Sequence, residues 1–121
     1  MESKNVLVEK SLKFAINVVN IYKRLTNEKK EFVLSKQLVR SGTSIGANIR
    51  ESQYASSPND FIHKLIISLK EANETEYWLE ILKETEYISM EDYSKLICDN
   101  KELIKMLIAS INTLKQKRSK V

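Results

Sequence analysis

The chain contains only two glycines and one proline in 121 residues, and this scarcity of helix-breaking residues limits its fold more than any other feature. Sheet proteins need frequent turns, and turns draw heavily on glycine and proline. Apolar residues also recur three and four positions apart over most of the chain, which is the period of an amphipathic helix. The sequence therefore predicts an all-α protein, an up-and-down antiparallel four-helix bundle.

Four helices are predicted from the apolar stripes and from the polar breaks between them. Their approximate limits are Asn5 to Leu25, Glu28 to Ala55, Pro58 to Tyr87 and Met90 to Lys115. The connections are short, as between antiparallel neighbours. The whole chain, residues 1–121, is predicted as one domain of ordinary size. Its last segment, residues 115–121, is basic and is expected to fray.

The sharpest boundary is the start of helix 3. Ser57 is a favourable N-cap, Pro58 suits the first helical position, and Asp60 is placed to interact with the helix dipole. Ser89 with Asp92 repeats this capping pattern before helix 4.

The predicted core stripe of helix 1 has spacings of four and three and consists of Val8, Leu12, Ala15, Val19 and Tyr22. Val18, Ile21 and Leu25 are predicted to widen this stripe. Helices 1 and 4 carry apolar residues on more than one stripe. Because a helix that is apolar around much of its girth needs two partners, this predicts an interface between subunits.

The predicted stripe of helix 2 is built mostly from small and polar residues, with Gly42 and Gly46 beside it. A glycine within a helix costs about 1 kcal/mol relative to alanine. Two glycines one turn apart therefore indicate that another backbone approaches closely. The alternative is that residues 41–44 form a loop that splits the helix.

Composition points to a cytoplasmic protein. Cys98 is the only cysteine, and we interpret it as a small buried or half-buried apolar residue, with a reactive thiol as the alternative. The first ten residues lack the apolar region of a signal peptide, and no run approaches the length of a membrane span. No membrane association is expected.

The net charge of +4 is unevenly distributed along the chain. Residues 1–50 hold ten Lys/Arg and four Asp/Glu, a net +6, and residues 51–100 hold four and eleven, a net −7. Residues 101–121 hold six and one, a net +5. This segregation allows a basic face that binds polyanions. It equally allows basic helices to pair with an acidic one, within a subunit or between subunits.

No catalytic, metal or cofactor site is predicted, and the chain is expected not to be an enzyme. His63 is the only histidine, and although Asp60 is three residues before it, a bundle metal site needs a second helix that carries histidine. We interpret His63 as a surface or half-buried residue. A nucleophilic Ser or Cys would lack a base, and no glycine-rich phosphate loop is present.

Basic residues on helices are the nucleic-acid signal in the sequence, and ordinary solubilising charge is the alternative interpretation. The candidates are Lys36, Arg40, Arg50, Lys115, Lys117, Arg118 and Lys120.

A second candidate site combines polar residues that share one face of helix 2. Arg40, Ser44, Asn48 and Glu51 follow one another at spacings of four, four and three beside Ser41. A buried carboxylate requires a charged or multiply hydrogen-bonded partner, so we expect Arg40 to pair with Glu76, with Asn48 as a bridge. Such a polar layer would fix the helix register; a ligand-contacting site is the alternative.

The segment Gln37-Leu38-Val39-Arg40-Ser41-Gly42-Thr43-Ser44-Ile45-Gly46-Ala47-Asn48-Ile49-Arg50-Glu51 resembles the signature of the bacterial four-helix-bundle proteins encoded within 23S rRNA intervening sequences. Helix 3 adds to the resemblance through Asp60-Phe61, Leu65, Glu71, Glu76 and Leu79. It covers about residues 5 to 115. The family is also similar to the accessory proteins of diversity-generating retroelements.

The resemblance implies a ring-like homopentamer, with RNA or DNA and a reverse transcriptase or another protein as partners. Two features depart from the relatives. Many carry glycine where this chain has Ser52, and the retroelement proteins are more strongly basic. The resemblance and the basic residues together predict a homo-oligomer that binds nucleic acid without sequence specificity. The alternative is a protein–protein scaffold or adaptor that does not contact nucleic acid.

Overall fold

The computed structural model describes residues 2–119, with side chains described from Val6 to Lys117. Within that range it contains four helices and no strand. The helices are α1 (Glu2–Asn27), α2 (Leu34–Ser52), α3 (Pro58–Glu84) and α4 (Met90–Ser119). Each helix packs against the next along the chain, and a less extensive contact joins α1 to α4. The predicted all-α four-helix bundle is confirmed.

The core stripe of α1 contains Val18, Ile21 and Leu25, which were predicted to widen it, but it differs from the prediction in its other members. Its buried members are Leu7, Ser11, Phe14, Val18, Ile21 and Leu25, again at spacings of four and three. The predicted stripe runs beside it on the helix surface, where Leu12 is 47% exposed. Since both stripes have helical period, sequence periodicity could not decide between them, and packing against the other helices did.

The glycines of α2 lie where it packs closely against α1. A Cβ atom on Gly42 would be 2.9 Å from Cγ1 of Val18, and one on Gly46 would be 3.1 Å from Oγ of Ser11. The helix is continuous through both residues, so the alternative of a loop at residues 41–44 is wrong. The predicted close approach of two backbones is confirmed.

Helix α2 begins later than predicted, at Leu34 instead of about Glu28, and ends at Ser52 instead of Ala55. Its first turn is capped from outside the helix by Glu31. The Glu31 carboxylate accepts hydrogen bonds from the backbone amides of Leu34 at 3.0 Å and Ser35 at 2.7 Å. A third comes from Val33 at 3.1 Å. The cap was missed because a glutamate three residues before a helix is not a standard capping pattern.

The predicted start of α3 is confirmed, because the Ser57 hydroxyl accepts a hydrogen bond from the Asp60 amide at 3.1 Å. The helix ends at Glu84 and not at Tyr87. Glu86 adopts a left-handed conformation with φ of 64°, and the Tyr87 amide turns back to the Leu82 carbonyl at 2.9 Å. This is a Schellman-type ending built without glycine.

Helix α4 begins at Met90 as predicted, and the Ser89 hydroxyl accepts from the Asp92 amide at 3.0 Å. It continues past Lys115 to Ser119, so residues 115–119 of the predicted frayed tail are helical. Lys120 and Val121 lie outside the described residues.

Candidate nucleic-acid interface

The basic residues predicted to contact nucleic acid are divided between the two ends of the bundle. Lys36 is exposed in the first turn of α2, and Arg50 is exposed in its last turn. Fourteen residues of helix separate them by about 21 Å along the axis. Lys36 therefore cannot belong to the same compact patch as Arg50.

Arg50, Lys115 and Lys117 lie at one end, which we call the basic end. Helices α2 and α4 run in the same direction in an up-and-down bundle, so their C-termini meet there. Lys115 and Lys117 are both exposed. Two further predicted residues fall outside the part of the chain whose side chains are described, namely Arg118 and Lys120.

These exposed cations differ from five of the other basic residues in their surroundings. Among residues 6–117, neither Arg50 nor Lys36, Lys115 or Lys117 forms an ion pair with a carboxylate. Five other cations do form ion pairs: Lys10, Arg24, Arg40, Lys64 and Lys83. The cations of the basic end therefore keep their donors available to an anion from outside the subunit.

A groove of about 1160 Å³ opens at the basic end. Its walls come from all four helices and from the α2–α3 connection, and they are largely apolar with several hydroxyl groups. The lining includes Leu7, Ile49, Ser52, Phe61, Thr113 and Lys117. The presence of Ser52 and Lys117 in one groove supports the placement of both C-termini at this end.

The polar face of α2 is arranged differently from the prediction. Arg40 pairs with Glu71 at 3.3 Å and with Glu74, so the predicted Arg40–Glu76 pair is wrong. Glu71 and Glu74 project from the flank of α3 that packs beside α2, whereas Glu76 lies on the flank nearer α4. The Arg40 side chain is 47% exposed, so its ion pairs contribute at most about 1 kcal/mol.

The other members of the predicted layer make local contacts. Ser44 donates to the Arg40 carbonyl at 2.6 Å, and the Asn48 amide donates to the Ser44 carbonyl at 2.9 Å. Asn48 therefore does not bridge Arg40 and Glu76. Glu51 pairs with Lys64 of α3 at 3.1 Å, on the exposed surface.

Glu74 also accepts a hydrogen bond from the indole of Trp78, with Nε1 2.9 Å from Oε2. This bond is the largest influence on the carboxyl and lowers the pKa of Glu74; partial burial opposes it, and Arg40 lowers it further. The carboxylate therefore stays ionised down to a lower pH than an isolated glutamate. Beside it, Tyr77 is 58% exposed and packs edge-on against Trp78.

A buried polar layer does exist, but it has different members. The Thr75 hydroxyl donates to Ser41 at 2.9 Å between α3 and α2, and Ser68 donates to the Ile45 carbonyl at 2.8 Å. Between α4 and α3, the Asn100 amide donates to the Ala72 carbonyl at 2.9 Å. Ser41 is the one residue of the predicted layer that takes part. The small hydroxyl residues at core spacing in α3 were the sequence signal for Ser68 and Thr75.

The two side chains considered for chemistry lie on the surface. His63 is exposed on α3, as predicted. Cys98 is exposed on α4, so its interpretation as a buried or half-buried apolar residue is wrong. In the described part of the chain, no group of three or more His, Cys, Asp or Glu residues could hold a metal ion. None of the described helical segments is long and apolar enough to span a membrane.

The four-helix arrangement and the α2 signature agree with a family-level match. The model of the 23S rRNA-intervening sequence protein family matches residues 3–109. The chain belongs to this family. The predicted membership is confirmed over most of the chain.

A solved relative supports the same assignment. The crystal structure of a protein of unknown function from the S23 ribosomal protein family of Bacteroides thetaiotaomicron is 60% identical in sequence. The similarity covers 91% of this chain and 98% of that one, with a TM-score of 0.89. No curated protein matches the chain.

Proposed function

We propose that this 23S rRNA-intervening sequence protein is a non-catalytic cytoplasmic homo-oligomer that binds RNA or DNA without sequence specificity. The observation that carries the proposal is the group of exposed cations at the basic end, Arg50, Lys115 and Lys117, which form no ion pair within the described residues. Arginine and lysine free of internal carboxylates are suited to phosphate contacts, which supply most of non-specific affinity.

Oligomerisation would strengthen such weak contacts. In the homopentamer implied by the family resemblance, each basic end is present five times in one particle. Contacts that are weak in one subunit then add through a high effective concentration. The resemblance to accessory proteins of diversity-generating retroelements, expected from the sequence, would make a reverse transcriptase a further partner.

Salt dependence tests the proposal by gel shift with single-stranded RNA and duplex DNA probes. Binding should weaken steeply between about 50 and 200 mM salt. The triple variant Arg50→Ala, Lys115→Ala, Lys117→Ala should reduce the slope of log affinity against log salt by about 2–3, because three phosphate contacts are lost. Circular dichroism should be unchanged, since all three side chains are exposed.

The matched control removes the same charge elsewhere. Lys13→Ala, Lys95→Ala and Lys105→Ala together also remove three exposed cations, none of them at the basic end. This variant should keep most of the wild-type slope. An equal effect of both triple variants would show that net charge matters and the basic end does not.

The adaptor function is the second candidate, and the outer face of α3 favours it. Tyr77 is exposed there next to Trp78 and Glu74, and solvent-exposed aromatic residues are typical of protein-binding surfaces. If neither probe shifts at low salt with protein well above micromolar concentration, nucleic-acid binding is refuted and the adaptor function takes its place.

A further inference from the structure

Helix α1 carries a second apolar stripe that the described part of its own subunit leaves partly exposed. We call it the outer α1 seam, and it consists of Val8, Leu12, Ala15, Ile16, Val19 and Tyr22. Five of its members follow spacings of four, three, four and three, the pattern by which a helix packs against another helix. Leu12 is 47% and Ile16 52% exposed, while the other members are half-buried.

The outer α1 seam faces away from α4. Lys10 pairs with Glu102 and Arg24 pairs with Asp92, so this flank of α1 meets α4. Two residues of helix rotate a side chain by about 200°, which places Leu12 on the opposite flank from Lys10. On that flank α2 lies close to α1 through Gly42 and Gly46. The outer α1 seam therefore borders a part of α2 where the side chains are small.

Helix α4 carries a comparable stripe, which we call the outer α4 seam: Ile97, Ile104 and Ile108. Ile108 is 44% exposed and the other two are half-buried. The stripe lies on the α3 side of α4, because Tyr93, one turn before Ile97, has Lys83 of α3 above its ring at 4.4 Å. Asp92 and Glu102 mark the other flank of α4, which faces α1.

The two seams lie on opposite faces of the bundle, one on the α1–α2 face and the other on the α3–α4 face. They therefore cannot cover each other within one chain, whereas two copies can bring them together. A contact between two different faces of identical subunits is heterologous, and when its rotation closes it generates a ring.

The charges on the α3 side of the outer α4 seam are opposite in sign to those that border the outer α1 seam. Lys23 and Lys36 are exposed along the α1–α2 face. On the α3–α4 face, Glu76 and Glu80 lie at the same height along the bundle as Ile97. Two contacts between α3 and α4 fix this alignment, one between Ala72 and Asn100 and one between Lys83 and Tyr93. Lys101 and Lys105 lie on the outer border of the α4 seam, where long side chains can remain in solvent at a rim.

We propose that the outer α1 seam is covered by the outer α4 seam of a second copy of this chain. The inference rests on the homo-oligomer of the proposed function and assigns its interface. It makes a specific statement about symmetry, since each subunit contributes a different surface to each of its two neighbours.

Two charged variants test the interface separately. Leu12→Glu with Ile16→Glu disrupts the outer α1 seam, and Ile104→Glu with Ile108→Glu disrupts the outer α4 seam. Each variant alone should be a monomer of about 14.0 kDa by light scattering, with unchanged circular dichroism at least for the α1 variant, whose substituted side chains are half exposed. Lys13→Glu, on an exposed residue outside both seams, is the control and should assemble like the wild type.

Mixing the two variants distinguishes a heterologous contact from a symmetric one. Each variant keeps one intact seam, and the two intact seams are complementary, so the mixture should form a 1:1 heterodimer and stop there. If α1 seams instead contacted one another, the mixture would contain no heterodimer. That result, or wild-type assembly by the α1 variant, overturns the inference.

The interface test measures assembly and not nucleic-acid binding, although the monomeric variants should bind a probe more weakly because they lose avidity. The substituted seam residues are apolar, and the cations of the basic end stay in place in both variants. A probe that still shifts with the monomeric variants would separate the interface from the binding activity. A wild-type protein that is itself monomeric overturns the interface assignment, while the gel shift continues to test the cations.

Discussion

At the residue scale, Gly42 decides how closely α1 and α2 pack. Alanine at this position would gain about 1 kcal/mol in helix propensity. Its Cβ would, however, lie 2.9 Å from Cγ1 and 3.0 Å from Cγ2 of the fully buried Val18, and overpacking of this kind costs about 1–3 kcal/mol. We expect Gly42→Ala to lower the free energy of unfolding by about 1–2 kcal/mol in denaturant titrations.

A second variant identifies the cause. Val18→Ala removes the methyl groups that the new Cβ would meet, so Gly42→Ala made in that background should stabilise the protein by about 0.5–1 kcal/mol through helix propensity. If Gly42→Ala is destabilising by the same amount in both backgrounds, contact with Val18 is not the reason for the glycine.

At the element scale, the start of α2 depends on Glu31. Partial burial alone would raise the pKa of the Glu31 carboxyl, but hydrogen bonds from the Leu34, Ser35 and Val33 amides outweigh it and lower the pKa from that of an ordinary glutamate. A lowered pKa in the folded state stabilises the protein above the unfolded pKa, and this contribution is lost as the pH falls through the folded value.

We therefore expect Glu31→Ala to cost about 0.5–2 kcal/mol at pH 7, the usual range for an N-terminal cap. The difference in unfolding free energy between wild type and variant should shrink as the pH is lowered below about 4. Glu28→Ala, on an exposed carboxylate that does not cap the helix, should change stability by less than about 0.5 kcal/mol. A cost for Glu31→Ala that is constant between pH 7 and pH 3 would contradict the capping role of the charge.

At the scale of the whole molecule, stability should depend on assembly. A folded subunit that gains free energy from association melts at a higher temperature when its concentration rises. Between about 1 and 100 μM protein, we expect the Tm of the wild type to increase by several degrees. The Leu12→Glu, Ile16→Glu variant should show a Tm independent of concentration. A wild-type Tm that does not move would indicate that the exposed seams contribute nothing to stability.

Local signals in the sequence determined most of the element structure. The scarcity of glycine and proline, the helical period and the caps at Ser57 and Ser89 were enough for four helices in a bundle, because caps and propensities act within one turn of chain. The end of α3 at Glu84 was missed, since its left-handed residue is Glu86 and not a glycine. The close approach at Gly42 was also predictable, because a glycine inside a helix lowers stability unless a neighbour needs the space of its missing Cβ.

Only the tertiary structure decided which residues face one another. Two stripes of equal period on α1 left the sequence unable to say which was core and which was outward, and the choice came from where α2 and α4 pack. The partners of Arg40 and the separation of Lys36 from Lys117 likewise depend on the rotation and length of whole helices. Periodicity fixes relative angles within one helix, whereas contacts between helices depend on an absolute orientation that only packing sets.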